Sequence, residues 1–392
     1  MNKHTLPALI SLTLASSYTS SVSAAQQYFQ ARNDAMGGTG VASTHYLSAP
    51  LSNPALLARF SRSDDIGILL PAVGLQVADE DEMFDGINNV LDLVDELDQY
   101  SSNTFAARSV ANQLADELEA IDGNQVPVQL GLTAVVAIPG RYVSFALFSN
   151  SYLDLQVETA VDQDDLAALR GMNPTGRDEL TSQIMVQGAG VTDLGISLAS
   201  KFILGTTPVY IGVSPKLQAI GLYNYTDSIS DFNGSDLEQD ENIDDSVAFN
   251  LDAGFVVEPN EHFTFGLSAK NLIEHEISSI DKSVRYQVKP HITSGFALHS
   301  DWFTAALDID VTQTRSFANS DPSKYARVGA EMDAGGWMQL RAGYRYDLEE
   351  NTNNQVTFGV GLSPFEVFNL DLTGMLGDEG NYGVVAQTSF TF

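Results

Sequence analysis

The sequence predicts an all-β protein: a fourteen-stranded antiparallel transmembrane barrel with an N-terminal hatch and a helical extracellular insertion. Three observations point that way. From about residue 65 onward, segments of about ten residues alternate apolar and polar side chains; the connections between them alternate short and long; and the last such segment ends on Phe392. Strands of ~10 residues suit an oblique crossing of a bilayer, whereas strands of soluble sandwiches usually run ~5–6.

At the N-terminus, Lys3 and His4 precede an apolar run, Leu6 to Ala15, and a small-residue stretch ending Val22-Ser23-Ala24. A short positive region, an apolar core of about ten residues and a small-residue site make a secretory signal peptide, assigned to residues 1–24. The apolar run is about half the ~20 residues of a spanning helix. No cysteine follows it, so no lipid anchor is expected. Residues 25–64 lack strand alternation and are not barrel wall. They hold Ala35-Met-Gly-Gly-Thr-Gly-Val-Ala42 and Ser52-Asn-Pro-Ala-Leu56. Gly37, Gly38 and Gly40 follow no strand and do not complete a dinucleotide fingerprint, so they read as tight turns in a crowded space.

The barrel is assigned to residues 65–392, with its first strand at about 65–77. An insertion at about 78–125 follows and reads as one or two amphipathic helices. Met83, Ile87, Val90, Leu91, Val94 and Leu97 keep helical spacing, as do Val110, Leu114, Leu118 and Ile121. These faces either pack on each other over the barrel mouth or form a greasy capture site. In the second case Phe84, Ile87, Val90, Leu91 and Val94 are the candidate ligand-binding residues.

Farther along, Phe303, Ala305, Leu307, Ile309 and Val311 share one face, with Asp308 and Asp310 opposite. Met338, Leu340, Ala342, Tyr344, Tyr346 and Leu348 alternate with Arg341, Gly343, Arg345 and Asp347, and Phe249, Leu251, Ala253 and Phe255 with Asn250, Asp252 and Gly254. Short spacers fall near Pro139-Gly140, Gly205-Thr206-Thr207, Glu258-Pro259-Asn260, Ser300-Asp301, Ala334-Gly335-Gly336 and Ser363-Pro364. Longer ones fall at about 159–180, 226–246, 275–284, 314–324, 349–354 and 376–382. Tight turns on one side and long loops on the other are how outer-membrane barrels are built, and they place both chain ends on the short-turn, periplasmic side. In the last strand Tyr382, Val384, Ala386, Thr388, Phe390 and Phe392 share a face.

Composition excludes several functions. A net charge of −32 argues against nucleic-acid binding, because phosphates demand a basic surface. With no cysteine there is no disulfide framework, zinc-thiolate site or thiol nucleophile. No histidine lies in H-E-x-x-H and no serine in G-x-S-x-G, so no catalytic residue is assigned and no enzyme activity is expected. The acidic run Asp227 to Asp245 lacks the EF-hand arrangement and reads as a solvated loop rather than a calcium site. No cofactor and no metal are expected.

The segment Met36-Gly37-Gly38-x-Gly40-Val-Ala, followed about a dozen residues on by Asn53-Pro54-Ala55 and then the first strand, resembles the N-terminal hatch of the long-chain fatty-acid transporter (FadL) family. The middle of the chain also resembles a related group labelled conjugal-transfer TraF-like proteins, through Lys270-Asn271-Leu272 and Leu340-Arg341-Ala342-Gly343-Tyr344. The first resemblance implies a plugged barrel that moves hydrophobic small molecules inward from the cell surface, with Asn53, Pro54 and Ala55 holding the hatch. The second implies a structural or assembly role in conjugation or secretion. A barrel hydrolase is the remaining alternative. The terminal Phe390 and Phe392 resemble the signal read by barrel-assembly machinery. The partners expected are that machinery, outer-membrane lipid and lipopolysaccharide, and a hydrophobic small molecule. The chain is expected to be a monomer in the bacterial outer membrane.

Overall fold

Alternating segments produce strands here because each strand separates two environments, and the strands close on themselves to leave no edge. The computed structural model describes residues 20–23, 29–61, 63–100, 105–171, 180–230, 232, 243–279, 284–315, 322–365, 367–378 and 380–392. A short strand β1 (Ser20–Ser23) is followed by two single-turn helices, α1 (Ala31–Asp34) and α2 (Ala49–Ser52), and a 3₁₀ turn at Pro54–Ala58. The wall starts with β2 (Gly67–Ala78), β3 (Gln125–Ile138), β4 (Ser144–Ala160), β5 (Gln183–Leu204), β6 (Thr207–Ser228), β7 (Ile243–Val257) and β8 (Phe263–Lys270). After β9 (His275–Ser278) and β10 (Val284–Val288) it resumes with β11 (His291–His299), β12 (Phe303–Asp310), β13 (Tyr325–Asp333) and β14 (Met338–Asp347). It ends with β15 (Gln355–Leu362), β16 (Phe368–Gly377) and β17 (Asn381–Thr391). The wall is a closed antiparallel barrel of fourteen strands, in which β17 pairs with β2 from Asn381↔Ala78 to Thr391↔Gly67.

The fourteen strands are the number read from the sequence, and the alternating faces divide as their polarity requires. Leu307, Ile309, Leu340, Tyr344, Phe249 and Phe255 are exposed on the outside, while Asp308, Asp310, Arg341, Asn250 and Asp252 are buried inside. Such a surface makes sense only against hydrocarbon, since water would leave it a continuous apolar patch. Exposed Tyr142, Trp302, Trp337, Phe365 and Phe392 gather at the short-turn end, as the aromatic girdle of a bilayer interface does. Arginine in place of Leu307 should therefore destabilise the folded barrel by ~2–4 kcal/mol at mid-bilayer depth. Urea titration of protein folded into lipid vesicles measures this, and an unchanged midpoint would place Leu307 outside the hydrocarbon.

The wall has one irregularity. Between Leu69 and Ala72 the register of β2 shifts against both β3 and β17. Two successive residues, Leu70 and Pro71, face outward there. Proline cannot donate to a ladder, so the extra residue of a bulge is where a strand tolerates it.

The connection between β8 and β11 differs from the sequence reading, which takes 275–284 as a plain loop and continues the strand from there. Instead β9 and β10 form an antiparallel hairpin, with β1 alongside β10 in parallel. Ile277, Tyr286 and Val288 of this hairpin pack on Ala189 and Val191 of β5 and on Ile220 and Leu222 of β6. The hairpin thus folds inward. Lys289-Pro290 breaks the extended run before β11, as a proline without an amide hydrogen does.

The insertion after β2 forms α3 (Met83–Leu97) and α4 (Phe105–Ile121), and the β4–β5 connection adds α5 (Gln163–Leu169). Asp79 caps α3, its carboxylate accepting from Met83 N at 2.7 Å and Phe84 N at 3.2 Å. The three helices form one apolar core at the long-loop end.

Candidate functional site

Residues 29–60 fill the barrel lumen and form a plug. Their glycine-rich sequence meets inward-facing glycines of the wall. Phe29 lies over Gly74 and Gly131, Met36 and Gly37 over Gly329 and Gly343, Val41 over Gly266 and Gly295, and Asn53 to Ala55 over Gly212 and Gly254. The plug can lie this close to the wall only because the wall residue at each of these points carries no Cβ.

The hatch motif makes the attachments. Met36 is fully buried beside Ala42, Ala297 and Ala306. Gly37 and Gly38 take φ of +74° and +85°, which glycine alone adopts without strain. Gly37 N donates to Thr357 Oγ1 at 2.8 Å. Gly40 N and Val41 N both donate to Asp308 Oδ2, at 2.7 and 3.0 Å. Asn53 is fully buried, and its Nδ2 donates to Val41 O at 2.7 Å while its Oδ1 accepts from Ala55 N at 3.1 Å. Pro54 begins the 3₁₀ turn, where its missing N–H has no partner to lose.

Ion pairs tie the plug to the wall. Arg32 pairs with Glu331 at 2.8 Å, and Glu331 pairs in turn with Arg341 at 2.6 Å, which also reaches Asp371 at 2.6 Å. Arg59 pairs with Glu258 beside the β7–β8 turn at 2.8 Å. Within the wall, the fully buried Lys216 sits 3.0 Å from both Asp193 and Asp252. Arg327 forms two hydrogen bonds to Asp310. The inward position of several of these charges follows from alternation; which partner each one meets does not.

One plug group titrates in a useful range. Burial pushes the Asp34 carboxyl up to about 7, opposed by the Gln30 N–H and by the Arg345 and Arg327 guanidiniums. A raised acid contributes stability that is fully present below its unfolded value of about 4 and is lost as pH rises through the folded value. The plug should therefore be less firmly seated at about pH 8 than at about pH 5. Protease cleavage of the plug in detergent-folded protein, followed against pH, should rise over that window, and Asp34→Asn should flatten the rise. Equal slopes in both proteins would contradict the assignment.

Three cavities lie along the lumen. One of about 410 Å³ opens between the plug and the short-turn end, among Arg32, His45, Arg59, His299, Glu331 and Arg341. One of about 120 Å³ lies against the plug among Asp34, Lys270, Asp308 and Arg327. The third, about 310 Å³, lies at the long-loop mouth between Gln76, Gln129, Gln156, Tyr325 and the start of α3. The last two share Tyr325 and Arg345.

The candidate ligand residues of the insertion come together, but against protein. Ile87, Val90 and Val94 are buried in the core that α4 completes through Leu114 and Leu118, with Leu91 packed at its margin. Phe84 is exposed. The space between the two apolar faces is filled, so these residues present no open pocket in this arrangement. Phe390 stacks on Phe392, and Phe392 O accepts from Asp65 N and Ile66 N, which sews the chain end to the first strand. Of the acidic run 227–245, residues 231 and 233–242 lie outside the described residues. Among the described residues no cluster of metal-ligating side chains occurs.

Fold and lumen together define a plugged transmembrane β-barrel. The chain belongs to the family described as "F plasmid transfer operon, TraF, protein", which matches residues 50–310, about two thirds of its 392 residues. No curated protein matches it. Among solved structures, the toluene transporter TodX of Pseudomonas putida aligns with a TM-score of 0.55 and 12% identity, over 93% of this chain and 98% of that one. A TodX deltaS2S3 mutant, described as a monoaromatic hydrocarbon channel, aligns with a TM-score of 0.54 and 12% identity, over 94% and 100%. At this identity the likeness is one of fold, and it bears out the resemblance to the fatty-acid transporter family at that level.

Proposed function

We propose that this protein is an outer-membrane channel for the uptake of hydrophobic small molecules, fatty-acid-like or aromatic. The observation that carries the reading is the plug: a closed barrel whose lumen is filled by its own N-terminal segment suits selective admission rather than open diffusion. The matched solved structures are described as a toluene transporter and a monoaromatic hydrocarbon channel, which supports a hydrophobic cargo. On this reading residues 1–24 direct export, Phe390 and Phe392 are read by barrel-assembly machinery, and the chain works as a monomer among outer-membrane lipid and lipopolysaccharide. The α3–α4 core serves as a cap whose apolar face, with Phe84 at its edge, takes ligand only when the helices part. The protein is not an enzyme. A strain lacking it should take up labelled toluene or fatty acid more slowly than the same strain with the gene restored; equal rates would exclude the reading.

A second reading, a component of a conjugation or secretion apparatus, draws on the family description. It predicts reduced plasmid transfer, with uptake intact, in the same strain.

A further inference from the structure

The cavity at the long-loop mouth differs chemically from the outer wall. Eight of its nineteen lining residues are Asn or Gln. Several of these amides are short of hydrogen-bond donors. Gln129 Nε2 donates to Asp154 Oδ1 at 3.2 Å. Its Oε1 is buried and has no hydrogen-bond partner. Gln76 donates to Asn381 Oδ1 at 3.0 Å and Gln156 to Gln125 Oε1 at 3.1 Å, and the Oε1 atoms of Gln76 and Gln156 are likewise buried without partners. Each of these amide pairs uses one N–H and one oxygen, so one oxygen is left over however the pair is turned.

One donor has the complementary deficit. Arg345, whose guanidinium carbon lies 5.0 Å from the centre of the Tyr325 ring, keeps a buried Nε without an acceptor. It stands between this cavity and the smaller one against the plug. The same cavity is also lined by the half-buried Ala78 and Pro127, whose side chains make no hydrogen bonds. Spare acceptors, one spare donor and an apolar patch therefore share about 310 Å³. That is roughly twice the ~150 Å³ of a protein cavity that accepts benzene.

We infer that the mouth cavity binds a hydroxyl-bearing hydrophobe: an uncharged molecule of about single-ring size carrying one or two hydroxyl groups. Its O–H donates to a spare amide oxygen of Gln129, Gln76 or Gln156, its oxygen accepts from Arg345, and its apolar body covers Ala78 and Pro127. A bare hydrocarbon would leave the amides unpaired and without water, the condition under which a site built for a hydroxyl rejects the analogue that lacks one. A carboxylate is disfavoured by Asp79, Glu80 and Asp81 on the same lining. The inference deepens the uptake reading and rests on it, since a ligand held at the mouth above a plug is one awaiting entry.

The test is calorimetric titration of the full chain, folded in detergent, with toluene, benzyl alcohol, catechol and glucose, each corrected for heat into empty micelles. Benzyl alcohol and catechol should bind about tenfold or more tighter than toluene, and Gln129→Leu should remove about tenfold of that affinity while leaving toluene unchanged. Folding of the variant is checked by gel mobility without boiling, and Gln76→Leu replaces it if it does not fold. Toluene binding as tightly as the alcohols, glucose binding tightest, no titrant binding, or hydroxylated ligands indifferent to both substitutions would each overturn the inference. Uptake by the deletion strain separates the two levels: equal loss for toluene and benzyl alcohol leaves the channel and removes its hydroxyl preference, whereas no loss for either removes the channel.

Discussion

Replacing Gly343 with leucine is expected to unseat the plug while the barrel stays closed. A Cβ at this position would lie 2.1 Å from Gly37 N and 2.2 Å from the Met36 carbonyl carbon. Both are main-chain atoms, so no side-chain rotation relieves the overlap. Gly343 is held on its other sides by pairing with Gly329 in β13 and Thr357 in β15, so the wall cannot retreat. Gly37 cannot retreat either without giving up its bond to the same Thr357. Overpacking a yielding core costs ~1–3 kcal/mol, and a clash between two fixed backbones costs more. The plug then loses Gly37, and next to it the Gly40 and Val41 bonds to Asp308. In planar bilayers the variant should conduct several-fold more than the unaltered protein, and its residues 29–60 should be open to protease. Gly343→Ala should give a smaller effect in the same direction. Conductance unchanged by leucine would mean that the plug does not seat against β14.

The second large effect is expected at Lys216. Its ammonium is fully buried, 3.0 Å from one carboxylate oxygen of Asp193 and 3.0 Å from one of Asp252. A pair of this kind contributes little net stability against an apolar substitute, because desolvation offsets the Coulomb attraction. Removing one partner is different, since the charges left behind stay buried and unpaired. Lys216→Met leaves two buried carboxylates facing each other and should cost ~3–5 kcal/mol. Adding Asp193→Asn to that variant should recover part of the loss, because the amide removes one charge and keeps its hydrogen bond with Gln218 by rotating. Urea unfolding in lipid vesicles reads both values. A single variant as stable as the parent would show that water, not lysine, balances the two aspartates.

The wall was largely legible in the sequence because lipid and lumen are different solvents on opposite faces of every strand. Leu307 and Leu340 on one face, with Asp308 and Arg341 on the other, need no partner to be assigned. The plug was legible as a segment without alternation, with Gly37, Gly38 and Gly40 as tight turns, while Asn53 to Ala55 were placed in it only by the family resemblance. The seating of the plug was not, because a glycine such as Gly254 or Gly343 announces close approach without naming what approaches. Asn53 next to Gly254 becomes visible only in three dimensions. The buried charge clusters were hidden for a related reason. Asp193, Lys216 and Asp252 come from three neighbouring strands, and their meeting depends on register. The β9–β10 hairpin was missed because Val284 to Val288 carries strand-forming residues that read as the start of β11. The helical insertion was legible as amphipathic, but periodicity does not say whether an apolar face meets ligand or another helix. Here Val90 and Val94 meet α4.

The most direct test of the central claim is electrophoresis of the outer-membrane fraction in SDS, with and without boiling. A closed fourteen-strand barrel should resist SDS and run as a compact, faster band until boiled, then slow to the mobility of the unfolded mature chain. Identical mobility before and after boiling, or recovery of the protein in the soluble periplasmic fraction, would contradict it.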